Sequence, residues 1–489
     1  MRSTWAGFPG TFRSETNRPW PCQTGLIVFP TLCCLYCQQS QGQAYGMGFV
    51  AADSGVVLRG GRVIDGLGRA PFNADVRIDG DSIVAVGRNL QAAPTDRVLD
   101  VTGKTVMPGL IDSHCHISFD EPNSNDELFF HRREGLAAII AAAHVGKLLR
   151  AGVTGFLDAD SLFDIGVDLR DAIEAGIVVG PRMATGGNAL LTAAGGTAGR
   201  LIPDVGRIGY GRVVSSRDEI VAEVRRQIKI GVDWIKVHVT GLTPRQKIKG
   251  EVQVWNLEEL KLVVNTAHDL GVPVVGHCRG ASSTRDAARA GFDMILHATY
   301  MDDEALEAVV AAKVPIVPTF TFQANLLDYG AEVGASDSVR ELFRKEIEES
   351  AVMLRRAFEA GVPLLCGTES GFSLTPYGDW HYRELEVFVR DLGFTPLEAI
   401  RAATSENAFA LGLAGRTGAV EPGRLADLIV VDGDPAADVT VLGAPDKIQH
   451  VILGGREVHV PEPPPRTDPP GWRGTTYGSR ILRKSGLKR

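Results

Sequence analysis

The sequence predicts an α/β protein: a (β/α)8 TIM-like barrel joined to a small β-sandwich domain built from both chain ends. Three observations predict it. Short strand texture recurs near each end of the chain. Between those ends, residues 108–409 alternate Val/Ile-rich runs with longer amphipathic segments, and the apolar runs number eight. Continuous apolar strands separated by helices are the pattern of a parallel sheet buried on both faces. The 489-residue length leaves room for such a barrel and a second unit.

Composition narrows the class further. Hydrophobic residues at 44% and charged residues at 22% exclude a wholly disordered or fibrous chain. A net charge of −8 argues against nucleic acid as a partner. The longest apolar run is too short for a transmembrane helix, so no membrane association is expected. The expected partners are a small-molecule substrate and further copies of the chain, since homo-oligomers are common.

In chain order, residues 1–46 read as a disordered leader, with Met47 as an alternative start. They carry Cys22, Cys33, Cys34 and Cys37, behind a basic start too long for an ordinary signal peptide. Cys115, Cys278 and Cys366 are far apart and define no disulfide framework, which fits a cytoplasmic location. Residues 47–107 contain GVVLRGGRVIDG, ADVRIDGDSIVAVG and DRVLDVTGKTVMPG, strands punctuated by Gly and Asp-Gly turns. Residues 410–460 repeat that texture in GRLADLIVVDGDP and KIQHVILGGREVHV, so both ends are assigned to one composite β domain. The barrel strands are LIDSHCHI, VTGFLDA, RMATGG, WIKVHVTG, VPVVGHCRG, MILHATY, VPIVPTFTF and VPLLCGTESG. Segments such as RDEIVAEVRRQIKIG and LEELKLVVNTAHDLG supply the helices between them. The Pro-rich and then basic stretch 461–489 reads as a solvated tail.

In a barrel of this kind chemistry sits where strands end and loops begin. Strand 1 ends in His114 and His116, two residues apart and therefore on one face; paired imidazoles are natural ligands for a borderline-soft divalent cation. Strand 4 carries Lys236 inside an apolar run, and a buried lysine is unfavourable unless paired or chemically altered. Strands 5 and 6 end in His277 and His297, and strand 8 in Glu369 between Gly367 and Gly371. Taken singly, each has a structural explanation: a core histidine, a snorkelling lysine, a helix-capping carboxylate. Taken together, they converge on one mouth, which points to a functional site.

These residues resemble the amidohydrolase superfamily of metal-dependent hydrolases over roughly residues 57–460. PGLIDSHCH, IK on strand 4, GHC on strand 5, LH on strand 6, GTES, ATSENAFALGL and TGAVEPGRLADLIVVDGDP stand in the family's order. The resemblance implies two divalent ions, zinc with cobalt or manganese as alternatives. His114, His116 and Glu369 would hold one ion, and His277 and His297 the other. Lys236, as a CO2-derived carbamate, would bridge them, turning a buried cation into an anion that binds cations. The subgroup with this lysine includes prolidase-like dipeptidases, imidazolonepropionase-like proteins, ochratoxin-type amidases, and thiocarbamate or phenylurea hydrolases. The family usually has Asp where Glu369 stands; Glu reaches about 1.5 Å further, so Glu369 is expected as ligand, as catalytic base, or as both.

The resulting expectation is a hydrolase cleaving an amide, carbamate or urea C–N bond of a small apolar substrate. A prolidase-type dipeptidase or N-acyl amino acid amidase, a thiocarbamate or urea xenobiotic hydrolase, and a deaminase or inactive scaffold stay open as alternatives. Phe320, Phe322, Leu326, Phe372 and Leu374 give the apolar texture. His238, Tyr300 and His381 are candidate substrate-binding residues, and Arg182, Arg245 and Arg279 candidate clamps for a substrate carboxylate. Gly186 to Gly199 reads as a flexible lid or substrate loop, and His131, His144 and His268 read as structural.

Overall fold

The computed structural model describes residues 48–49, 55–122, 133–196, 209–242 and 251–461. The expected leader, the Pro-rich tail, His131 and Arg245 lie outside them. Among the described residues, no helix is long and apolar enough to cross a membrane.

Both chain ends meet in one mixed sheet of nine strands. Strands Val56–Val63, Phe72–Asp79, Ser82–Gly87, Arg97–Asp100 and Thr105–Pro108 come from the N-terminal side. Leu428–Val431, Ile448–Leu453 and Arg456–His459 return from the far end, and Gly48–Phe49 pairs on the edge. Leu428–Val431 joins the halves by pairing antiparallel with Thr105–Pro108. Alternate positions of these strands build a separate small core, including Leu58, Val76, Ile83, Val106, Leu428 and Ile452.

The central stretch forms the TIM-barrel-like part as two parallel sheets. One joins Leu110–Cys115, Val153–Asp158 and Arg182–Thr185. The other includes Ile235–His238, Val274–Cys278, Met294–His297 and Ile316–Val317 in that order. The predicted eighth strand bridges them without continuous strand geometry. Leu365 N–H donates to Ile316 O at 2.8 Å on one side. On the other, Ser113 N–H donates to Cys366 O at 3.0 Å and His116 N–H to Ser370 O at 2.8 Å. Two glycines permit this approach: a Cβ on Gly367 would lie 2.7 Å from the His114 Cβ, and one on Gly371, at φ +137°, 2.5 Å from the His116 carbonyl oxygen.

The helices start and stop on local signals. Asn256 and Glu259 form a capping box on Leu257–His268, Thr395 and Glu398 another on Pro396–Ala402, and Gly231 closes Arg217–Ile230 in the left-handed region. The Gly-rich stretch departs from its expected loop: Ala189–Thr192 is a buried strand pairing parallel with Gly211–Val214 and touching Val237 in register. Its run Ala-Leu-Leu-Thr had the apolar content of a strand, hidden by the flanking glycines.

Candidate active site

Parallel register puts the functional side chains at one end. His238 lies opposite His277, and Cys278 opposite His297, on neighbouring strands. The imidazoles form an unbroken chain of ring contacts: His116 to His114 at 5.0 Å, His114 to His297 at 5.3 Å, His297 to His277 at 4.6 Å, and His277 to His238 at 5.1 Å between centroids. Lys236 is buried on the same strand as His238. Ligating atoms of His114, His116 and Glu369 all lie within 4.8 Å of one another.

The backbone at these strand ends is unusual. His297, Ala298, Tyr300, Thr319 and Glu369 all have positive φ, between 49° and 71°. Non-glycine residues there carry strain of order 1–3 kcal/mol each, tolerated where surrounding bonds over-determine the conformation. Glu369 illustrates this: its N–H donates to His114 O at 2.6 Å and its carbonyl accepts from Thr375 Oγ1 at 2.7 Å.

Hydrogen bonds fix the tautomers. Thr319 Oγ1 donates to Val317 O at 3.1 Å, so it accepts from His114 Nδ1–H at 3.0 Å, leaving the His114 Nε2 lone pair available. His116 Nδ1–H donates to the Asp160 carbonyl oxygen at 3.1 Å, with the Asp160 carboxylate 2.6 Å away, which again turns Nε2 away from these contacts. His277 Nε2 donates to Glu251 Oε2 at 2.9 Å. His297 is 1% exposed, and neither ring nitrogen has a hydrogen-bond partner among the described residues. A buried imidazole without partners is unfavourable unless something binds it. Burial, then the neighbouring charges of Lys236 and His116, holds His114 far below its ordinary pKa; burial, then His277 and His114, does the same for His297. Both are therefore neutral, as metal ligands must be. This donor set fits divalent cations.

Asp160 is a residue the sequence reading missed. Its carboxylate takes His116 at 2.6 Å and His238 Nε2 at 2.8 Å, and lies 3.8 Å from Lys236 Nζ. Burial opposes its charge, but Lys236 and then His116 outweigh that and hold its pKa well below the usual carboxylate value. Burial depresses Lys236, against the opposing pull of Asp160 and Glu369. Burial raises the Glu369 pKa, partly offset by His116 and His277. A carboxyl so raised is suited to carry a proton. Burial lowers His238 to about 4, with Asp160 opposing. The signal for Asp160 was present as a carboxylate just past the end of strand 2, in LDADS.

The three weaker expectations resolve differently. His238 faces the mouth but binds Asp160. Tyr300 donates its hydroxyl to Glu346 at 3.1 Å. His381 lies against Asp112 and outside the imidazole chain. Its Nδ1–H donates to Asp112 at 2.8 Å and its Nε2 accepts Gly378 N–H at 3.1 Å. Asp112 also accepts the N–H of His114 and of Thr368, so His381 steadies the backbone that carries the site. Asp112 and His381, which lie near Cys115, are thus both engaged in internal bonds. Phe320 is likewise fully buried, with its N–H donated to Glu384. Phe119 instead stacks on His116 at 4.3 Å, with Phe372 edge-on at 5.7 Å, and these rings form an apolar wall.

Comparison with known proteins agrees with this architecture. A model of the amidohydrolase family matches residues 105–458. An ochratoxinase from Aspergillus niger is 28% identical over 424 residues, covering 82% of this chain and 86% of that one. A solved Xaa-Pro dipeptidase with methionine bound in its active site superposes with a TM-score of 0.71 at 29% identity, covering 83% and 99% of the two chains. The structure of molinate hydrolase, at 23% identity and a TM-score of 0.67 over 83% and 95%, shares the fold.

Proposed function

The chain belongs to the amidohydrolase family and is an enzyme acting on C–N bonds, and from that premise we propose that it hydrolyses an amide, carbamate or urea bond in a small apolar molecule. The observation that carries this reading is the continuous imidazole chain with His297 at its middle, whose two buried nitrogens have no hydrogen-bond partner among the described residues. His114, His116 and Glu369 would hold one divalent ion; His277 and His297 would hold a second, with Lys236 as a carbamate between them. Zinc suits this nitrogen-rich set, with cobalt or manganese able to replace it. Such ions, when bound, supply Lewis acidity and water made acidic near neutral pH.

The chain's own residues do the rest. Glu369 accepts the proton of the attacking water and delivers it to the leaving nitrogen, the step a C–N hydrolase needs because amines leave poorly unprotonated. Asp160 and Thr319 hold His116 and His114 in one tautomer, and Glu251 does so for His277. Phe119 and Phe372 exclude water from one side and receive an apolar group. A homo-oligomer, cytoplasmic and without nucleic-acid or membrane partners, completes the reading. Leu136 and Ile139, exposed on Glu134–Arg150, and the free thiols Cys115, Cys278 and Cys366 support it.

The test is a hydrolysis screen of anilides, carbamates, ureas and dipeptides with zinc, cobalt or manganese added, alongside metal analysis. Turnover with about two bound ions is expected. Less than about 0.3 equivalents of tightly held metal and no turnover would return the chain to a scaffold role.

A further inference from the structure

Of the three arginines that the sequence offers as clamps for a substrate carboxylate, two are described. Arg182 is bound bidentately to Asp427, at 2.7 and 3.0 Å, and ties the barrel to the mixed sheet. Arg279, two residues beyond His277, stands at the mouth, with its side chain 16% exposed.

Arg279 is already enclosed by carboxylates. Its guanidinium is hydrogen-bonded to Glu346 and lies 3.6 Å from Glu251. Glu346 also accepts Tyr300 Oη–H at 3.1 Å and the Gln323 amide at 3.3 Å. Glu251 is fixed in turn by His277 and by Thr240 Oγ1 at 2.9 Å. Among the described residues, this cluster sets one cation, Arg279, against two carboxylates beside the imidazole chain. Lys236, also at this end, faces Asp160. Gln323 adds a buried carbonyl oxygen without a hydrogen-bond partner among the described residues. The cluster therefore offers acceptors and disfavours anions; a substrate carboxylate placed against it meets like charge.

Building on the hydrolase reading, the geometry points to Glu251, Arg279, Tyr300, Gln323 and Glu346 as a specificity subsite that takes a neutral or protonated amine portion and rejects one bearing a free carboxylate. Arg279 here is a positioning residue for the two glutamates. The expected substrates are then amides, ureas or carbamates of simple amines, in preference to dipeptides and N-acyl amino acids.

The experiment compares N-acetylphenethylamine with N-acetylphenylalanine, which differ by the carboxylate. In the metal-loaded enzyme kcat/KM for the first is expected to exceed that for the second by about tenfold or more. Glu346→Gln, which removes a competing charge and frees Arg279, is expected to shrink that ratio by about tenfold. A wild-type preference for N-acetylphenylalanine, or a ratio unmoved in Glu346→Gln, overturns the proposal. Thermal shift of the wild-type holoenzyme with phenethylamine against phenylalanine gives a readout independent of the variant's folding: stabilisation by the amine alone supports the subsite, and stabilisation by phenylalanine alone or equally overturns it. Absence of turnover on both amides, with the binding preference intact, would count against the hydrolase reading and leave the subsite standing.

Discussion

The two imidazole pairs at the barrel mouth are held in different ways. His114 and His116 sit two apart on one strand, with Nδ1 engaged by Thr319 and by Asp160, and Glu369 brought within 4.8 Å by a glycine-flanked backbone. His277 and His297 come from separate strands; Glu251 orients one, and nothing among the described residues bonds the other. One side brings three possible donors together, and on the proposed reading the other would gain its third donor through a carbamate on Lys236. Strand geometry accounts for this. A single strand fixes two side chains on one face without further help, whereas two strands fix their relative register but not the rotation of each ring.

The largest test removes one member of each pair. His114→Asn is expected to lower bound metal to below about 0.3 equivalents, because the remaining pair has too few donors. His297→Asn is expected to keep about one equivalent while the rate falls about 1000-fold, the scale of several kcal/mol of lost charge stabilisation. Metal analysis with turnover measurements reads both, and the reverse pattern would show that assembly starts at His277 and His297. Glu369→Gln is expected to retain metal yet lose at least about 100-fold in rate; a fully active variant ends its proton-transfer role.

A smaller effect separates the supports. Asp160→Asn and Glu251→Gln are each expected to weaken one ion by about 10–100-fold, the first at the His116 side and the second at the His277 side. Competition with a chelator resolves the two losses, and identical profiles would contradict their separate positions.

The smallest effect concerns stability on the preassembled side. Glu384 accepts Phe320 N–H at 2.9 Å and Thr321 N–H at 2.8 Å, just beyond Thr319. Burial, opposed by those bonds, raises its pKa from 4.5 to about 8. In that window the unfolded chain is ionised and the folded one protonated. Its contribution to stability is therefore full below about 4.5 and is lost as pH rises through about 8. Melting temperature between pH 5 and 8 is expected to decline less in Glu384→Gln than in wild type. Parallel curves would mean that Glu384 does not carry the dependence.

The composition, the alternation of apolar runs and helices, and the strand-like texture at both ends were enough to specify the α/β class and which side chains stand at strand ends. His114, His277, His297 and Glu369 stand out in the sequence because each interrupts an apolar run near a strand's end, and Lys236 because it interrupts one within a strand; periodicity is a local property. Asp160 was legible in principle, as a carboxylate just past strand 2. Glu251, Thr319 and Glu346 were not, since each reaches the site from a loop or helix whose pattern carries no mark of its neighbours. Tertiary structure alone decided that Arg279 faces carboxylates, that His381 lies against Asp112, and that Ala189–Thr192 is a strand. Periodicity can place a side chain on a face, but hydrogen bonds and charge pairs between distant segments are fixed only when the chain closes on itself.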